Sequence, residues 1–224
     1  MDRILEPEVM DTMEDAIEYD AMDFTEVNTS FAERAVEILP DEGLVLDLGT
    51  GSARIPILIL QRNRKLKIIA VDLSENMLKV GKMNVDTYNF SASVELIIVD
   101  AKKLPYPDNH FDAVISNSLL HHIPDPLPVL KEINRVSKSK AGILIRDLIR
   151  PESFSIVEAL VQQYAGDCDE HQKKLFRDSL IASFTIDEVK ILVEQSGIKD
   201  SVVIQSSDRH LSIEKVFTNN YRIS

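Results

Sequence analysis

Gly49 and Gly51 stand in Asp47-Leu-Gly-Thr-Gly51, directly behind the apolar run 44–48. Glycines at such a turn let the backbone come close to a ligand. About one strand-plus-helix unit later, Asp72 closes a second apolar run, Lys67-Ile-Ile-Ala-Val-Asp72. An acid at that place accepts both hydroxyls of a ribose. Arg54 occupies the position at which the fingerprint Gly-x-Gly-x-x-Gly needs its third glycine, the one that permits close helix–strand packing around a pyrophosphate. The chemistry implied is recognition of a ligand that has an adenosine but no pyrophosphate. Further on, Asn117-Ser118 end another apolar run, and His121-His122 follow. Imidazole titrates near neutral pH, so a histidine there is a candidate general base.

These residues must be held by strands and helices in alternation. The run 44–48 reads as a buried parallel strand, and 53–61 as the helix behind it, with Pro56 tolerated in its first turn. Strands are expected at 67–72, 94–100, 111–117 and 141–147. Helices are expected at 74–84, capped by Ser74, and at 125–136, with Leu127, Leu130, Ile133 and Val136 facing inward. Upstream, 8–24 has Val9, Met13, Ile17 and Met22 at roughly helical spacing. Asn28-Thr29-Ser30 offers cap chemistry for a second helix at 31–39, with Phe31, Ala35, Val36 and Leu39 as its stripe. Residues 151–183 hold two helical stretches, 152–164 and 171–184. Thr185-Ile-Asp-Glu188 is a capping box for a helix to Gln195, and Gly197 stops it. The chain then alternates as a terminal strand pair at 201–205 and 211–217.

The four motifs in order, Asp47-Leu-Gly-Thr-Gly51, Asp72, Asp100-Ala101 and Asn117-Ser118 with His121-His122-Ile-Pro124 behind it, resemble the class I S-adenosylmethionine-dependent methyltransferases of the broad small-molecule type. The resemblance runs from about 44 to 150 and more loosely to the C-terminus. It implies an α/β, Rossmann-like, doubly wound sheet of seven mostly parallel strands with an antiparallel last strand, plus helical cap elements. It also implies a single domain over 1–224: N-terminal helices at 1–40, a cofactor-binding core at 41–150, a helical insertion or cap at 151–184, and the last helix and strand pair at 185–224.

The resemblance places S-adenosylmethionine against Asp47, Gly49, Thr50, Gly51, Arg54, Asp72, Leu73, Met77, Asp100, Ala101, Asn117 and Ser118. Asp72 takes the ribose. Asp100 accepts from the adenine amino group while Ala101 donates from its backbone, and Leu73 and Met77 sandwich the ring or simply pack in the core. Asp47 either ties the turn together or stands near the cofactor amino group. Arg54 is either a surface arginine or the partner of the cofactor carboxylate, which a guanidinium suits through two parallel bonds. His121, closer to the pocket than His122, is either a base or a cap of its segment. Asp147 is a second catalytic candidate, and Tyr19, His122, Arg146, Arg150 and Tyr164 are candidates on the acceptor side. Arg146 and Asp147 read equally as an internal ion pair at the sheet edge. Metal binding is not expected, because the histidines lack a third ligand at suitable spacing.

At 224 residues with 44% hydrophobic content, the chain suits one globular domain. Its net charge of −12, with scattered Lys and Arg, disfavours a nucleic-acid substrate. No apolar run is long enough to span a bilayer and no secretory signal is visible. The single cysteine, Cys168, forbids an internal disulfide and fits a reducing cytoplasm. The expected enzyme is a cytoplasmic monomer or homodimer that moves a methyl group to a small-molecule acceptor. A nicotinamide oxidoreductase and a catalytically silent binding protein are the competing classes. The missing third glycine and the lack of a Tyr-x-x-x-Lys pair oppose the oxidoreductase.

Overall fold

The computed structural model describes residues 1–6 and 12–218. Two helices come first, α1 (Met13–Ala21) and α2 (Thr25–Ile38). Alternating units follow: β1 (Gly43–Leu48), α3 (Arg54–Arg62), β2 (Leu66–Asp72), α4 (Glu75–Thr87), β3 (Val94–Ile98), β4 (Phe111–Asn117), α5 (Leu127–Val136) and β5 (Ser137–Leu148). Two cap helices, α6 (Phe154–Ala165) and α7 (Glu170–Ala182), precede α8 (Ile186–Ser196), β6 (Val202–Gln205) and β7 (His210–Lys215). All seven strands form one sheet in the order β3-β2-β1-β4-β5-β7-β6. β1 to β5 run parallel, and β7 enters antiparallel to both β5 and β6. The chain thus forms the expected Rossmann-like sheet.

Strand alternation divides the core between two faces. Leu46, Leu48, Ile143 and Ile145 pack toward α5 and α8. Val45 and Leu144 pack toward α2 and α3. The same alternation sends Arg146 and Asp147 to opposite faces, so they form no ion pair with each other. Arg146 reaches toward Ser30 on α2, with Nη1 3.5 Å from Oγ, and stands 5.4 Å from the Phe31 ring. Asp147 turns to the other face. Their strand, β5, lies between β4 and β7 and not at the sheet edge.

Two N-terminal expectations need correction. α2 begins at Thr25, so residues 28–30 lie inside it. Asp23 Oδ1 accepts from the Thr25 N–H at 3.0 Å and supplies the start. Tertiary packing of Phe31, Ala32, Ala35 and Ile38 outweighs the local cap signal. In α1, Thr12 and Asp15 form the capping box. Ile17 is 55% exposed. Ala16 is the buried residue, and Met13 and Tyr19 pack with it on Met77 and Val80 of α4. Glu8 and Val9, expected to begin this helix, lie outside the described residues.

Candidate active site

The carboxyl ends of β1, β2, β4 and β5 share one edge of the sheet, where ligands of open α/β sheets sit. Leu48 pairs with Val71 and Ser116, and Asn117 pairs with Arg146. Behind β1 the chain turns sharply: Gly49 (φ +68°) and Gly51 (φ +53°) are left-handed, and so is Ala53 (φ 59°) at the mouth of α3. The amides of Gly49 and Thr50 both donate to Val71 O, at 2.9 and 3.0 Å. Among the described residues, nothing lies within 4 Å of the point where a Cβ on Gly51 would stand. The turn therefore opens onto free space on that side.

Asp72 organises this turn. Its Oδ2 accepts from the Gly51 N–H at 2.8 Å and its Oδ1 from the Ser74 N–H at 2.9 Å. Ser74 is the cap of α4, its hydroxyl accepting from the Met77 N–H. Each carboxylate oxygen has two lone pairs, so both retain acceptor capacity. Tyr19 lies close enough that burial, followed by the Asp72 charge, holds its phenol above the ordinary value. α1 therefore lies over the turn.

Among the described residues, the buried Asn117 Oδ1 atom along this edge has no partner, and the buried Asp47 carboxylate and Thr50 hydroxyl have only each other, at less than good hydrogen-bond geometry. Buried polar atoms are normally bonded, so this row points to a polar ligand. Burial is the main reason the Asp47 carboxyl is pushed up to about 7; the Thr50 hydroxyl opposes the rise and the Asp72 charge adds to it. Ser118, left-handed at φ 58°, donates its amide to Arg146 O. Beyond β2 and β3, Leu73 is 64% exposed beside Asp72, Met77 is buried, and Ala101 is buried next to the half-exposed Asp100. Asp100 Oδ1 accepts from the Lys102 N–H.

Other expected site residues are engaged elsewhere. The Arg54 guanidinium bonds Asp20 of α1 through Nε and Nη2, at 2.8 and 2.6 Å. Asn84 joins the same Asp20 carboxylate at 3.1 Å and also reaches Ser52 O at 3.0 Å. His121, 3% exposed, sits in a short 3-10 turn (Leu120–His122) with Nδ1 2.5 Å from Asp147 Oδ1. Asp147 also accepts from the amides of Leu120, His121 and Leu148. Burial opposes charge on both partners, yet their pairing holds His121 above and Asp147 below the ordinary values. His122 is exposed and its Nδ1 contacts a Glu6 carboxylate oxygen. Arg150 is buried and donates to Ser183 O and Glu188. The Tyr164 hydroxyl bonds Asp208, and its ring lies under Arg209. Arg150 and Tyr164 thus tie the cap helices to their surroundings.

Sequence reasoning missed the first six residues. Arg3 donates to the carbonyls of Ala182, Pro124, His121 and Ile123, and its guanidinium lies 3.8 Å over the Phe184 ring. Glu6 meets both histidines, and Ser179 Oγ donates to it at 2.6 Å. This strap joins α7 to the turn behind β4. No local pattern in the sequence announces it.

A methyltransferase-domain family model matches residues 46–145. The chain is 27% identical over 172 residues to the ubiquinone/menaquinone biosynthesis C-methyltransferase UbiE of Rickettsia prowazekii, covering 70% of this chain and 68% of that protein. Its fold is similar to that of a SAM-dependent methyltransferase from Aquifex aeolicus (TM-score 0.68, 21% identity, 92% of this chain and 99% of that one). It is also similar to phosphoethanolamine N-methyltransferase 2 of Haemonchus contortus, solved with S-adenosyl-L-methionine (TM-score 0.66, 21% identity, 87% and 44%).

Proposed function

This chain is a class I S-adenosylmethionine-dependent methyltransferase, and we propose that its acceptor is a small molecule, methylated in line at the carboxyl edge of the sheet. The observation that carries the site assignment is the row of under-satisfied buried polar groups, Asp47, Thr50 and Asn117, beside the open Gly51 turn. That row fits a ligand with many polar groups. Asp72 accepts the ribose hydroxyls on the lone pairs left over from the turn. Asp100 and Ala101 take the adenine edge, with Leu73 and Met77 on its faces. Asp47, Thr50 and Asn117 face the methionine end. Arg54 does not serve the cofactor carboxylate in this arrangement, because Asp20 occupies it.

When bound, the cofactor supplies a methyl group already activated on a sulfonium. The protein's part is orientation, which can account for much of the rate. Asp47 and Asp72 place negative charge at this edge. They favour the cation and lose that attraction once transfer leaves a neutral thioether, which assists product release. His121 acts as a positioning residue: Asp147 and Glu6 surround its imidazole, and it is buried. The geometry thus favours an acceptor that needs no protein base, or one that is already ionised.

α1 covers the cofactor through Tyr19, and Asp20 latches it. The segment 151–184 forms the cap beside the acceptor entry. His122 borders that side, Arg146 stands on the opposite face toward α2, and Arg150 and Tyr164 hold the cap itself. A net charge of −12 disfavours nucleic-acid acceptors, and among the described residues no helix is long and apolar enough to cross a membrane. Cytoplasmic location and a monomeric or homodimeric state complete the reading.

The test is calorimetry with S-adenosylmethionine and S-adenosylhomocysteine, followed by an acceptor screen. The screen starts with reduced quinone-type rings, because the Rickettsia relative carries that name. Saturable binding and turnover of a small acceptor are expected. Turnover only on RNA or protein would overturn the acceptor class.

A further inference from the structure

Among the described residues, one group of metal-ligating side chains converges: Glu6, His121 and His122, whose donor atoms all lie within 4.8 Å of one another. The donors come from two places far apart in sequence. Glu6 belongs to the strap, and the histidines belong to the turn behind β4. We propose that these three residues bind one divalent transition-metal ion of the zinc class, clamping the strap to the loop that follows β4.

Two of the three donors are already oriented from behind. His121 Nδ1 faces Asp147, which fixes the proton there and leaves the Nε2 lone pair toward Glu6. A carboxylate behind a ligating histidine is a recurrent support of zinc sites. The Glu6 carboxylate is steered in the same way by Ser179 Oγ at 2.6 Å. His122 is half exposed, which gives an ion a way in.

The spacing fits a small adjustment. Zinc–nitrogen and zinc–oxygen bonds of about 2.0–2.2 Å in a tetrahedral site put neighbouring donors roughly 3.3 Å apart. Glu6 Oε1 is 3.9 Å from His121 Nε2, slightly too far. Glu6 Oε2 is at hydrogen-bond contact with His122 Nδ1, which is too near. Sliding the carboxylate from His122 toward His121 by less than about 1 Å evens both distances. The rings of His121 and His122 are already 4.0 Å apart between centroids. Two imidazoles and one carboxylate leave a fourth position for water and suit zinc better than magnesium, which prefers oxygen donors. Glu6 and Asp147 together outweigh the nearby Arg3 in charge.

The experiment titrates the chelator-stripped, tag-free full chain with Zn²⁺ by calorimetry, with Mg²⁺ as the comparison. One equivalent of Zn²⁺ at micromolar or tighter affinity is expected, with no comparable Mg²⁺ binding. Glu6→Gln and His122→Ala should each weaken Zn²⁺ at least about tenfold, as should Asp147→Asn from behind. X-ray absorption of the loaded protein should show nitrogen and oxygen ligation without sulfur. His122 is exposed, so His122→Ala decides the matter even where another variant does not fold; circular dichroism checks its fold. Zn²⁺ binding that His122→Ala leaves unchanged, sulfur in the absorption spectrum, equal Mg²⁺ binding, or no stoichiometric binding at all would each overturn the site.

Discussion

Arg54, in the first turn of α3, grips Asp20 of α1 with two bonds of 2.8 and 2.6 Å. α1 is otherwise held by the Asn84 bond to the same carboxylate and a small apolar contact on α4, so the Asp20 carboxylate is its latch over the glycine turn. The pair is partly exposed, so Asp20→Asn should shift global stability by less than about 1 kcal/mol. It should make S-adenosylmethionine dissociate several-fold faster and raise hydrogen exchange in residues 13–21. Stopped-flow dissociation checks this; an unchanged off-rate removes the cover role of α1.

Asp72 holds the turn through Gly51 and Ser74 and is assigned the ribose. Charge-assisted bonds contribute about 1.5–3 kcal/mol each. Asp72→Ala is expected to weaken S-adenosylmethionine by roughly a hundredfold or more while the sheet remains folded. Calorimetry reads the loss, and near-wild-type affinity would move the ribose elsewhere.

Asp47 provides a pH signature. Its carboxyl, raised to about 7 by burial and by Asp72, ionises more readily when a cation lies beside it. Affinity for S-adenosylmethionine should therefore rise from about pH 6 to about pH 8, with proton release on binding. The test is titration in buffers of different ionisation enthalpy. Asp47→Asn should flatten the profile; a flat wild-type profile would place the cation away from Asp47.

His210 marks the acid limit. Burial, then the charges of Arg209 and Arg146, lower it to about 4, so the native state keeps it neutral and bonded to Ser207. The unfolded chain takes up this proton near 6.5. The stabilisation is complete above that pH and is lost as pH falls toward about 4. The loss is on the order of 3 kcal/mol. Urea unfolding of wild type and His210→Gln across this window should show a steeper acid decline in the wild type.

Gly142 on β5 allows the end of α2 to touch the sheet. A Cβ there would stand 2.6 Å from Ile38 O, a backbone atom that also accepts from the Phe217 N–H. Gly142→Ala should cost about 1–3 kcal/mol, read by urea unfolding. A neutral result would mean that α2 can shift freely.

The glycine turn and its carboxylate support were legible because their signals are local. Gly49, Gly51, Asp72 and Ser74 lie in strand–turn–helix units whose patterns survive in sequence. The division of Arg146 from Asp147 was also there to be read, since neighbours on a strand face opposite ways. The pairing of Arg54 was not legible because Asp20, its partner, lies 34 positions upstream on a separate helix. The approach of Glu6 to the two histidines was hidden for the same reason: it stands 116 positions from His122. The start of α2 was missed because Asn, Thr and Ser announce caps only when packing does not recruit them into a helix.

Arg3 waits long for its partners. Ala182 O lies 179 positions further along the chain. At a synthesis speed of roughly 5–20 residues per second, Arg3 leaves the ribosome on the order of ten to forty seconds before its last acceptor exists. The sheet can begin to assemble in that interval while the strap has nothing to bind. Docking of the strap therefore waits for α7, and an arrested chain that stops short of α7 would carry residues 1–6 undocked however complete its glycine turn.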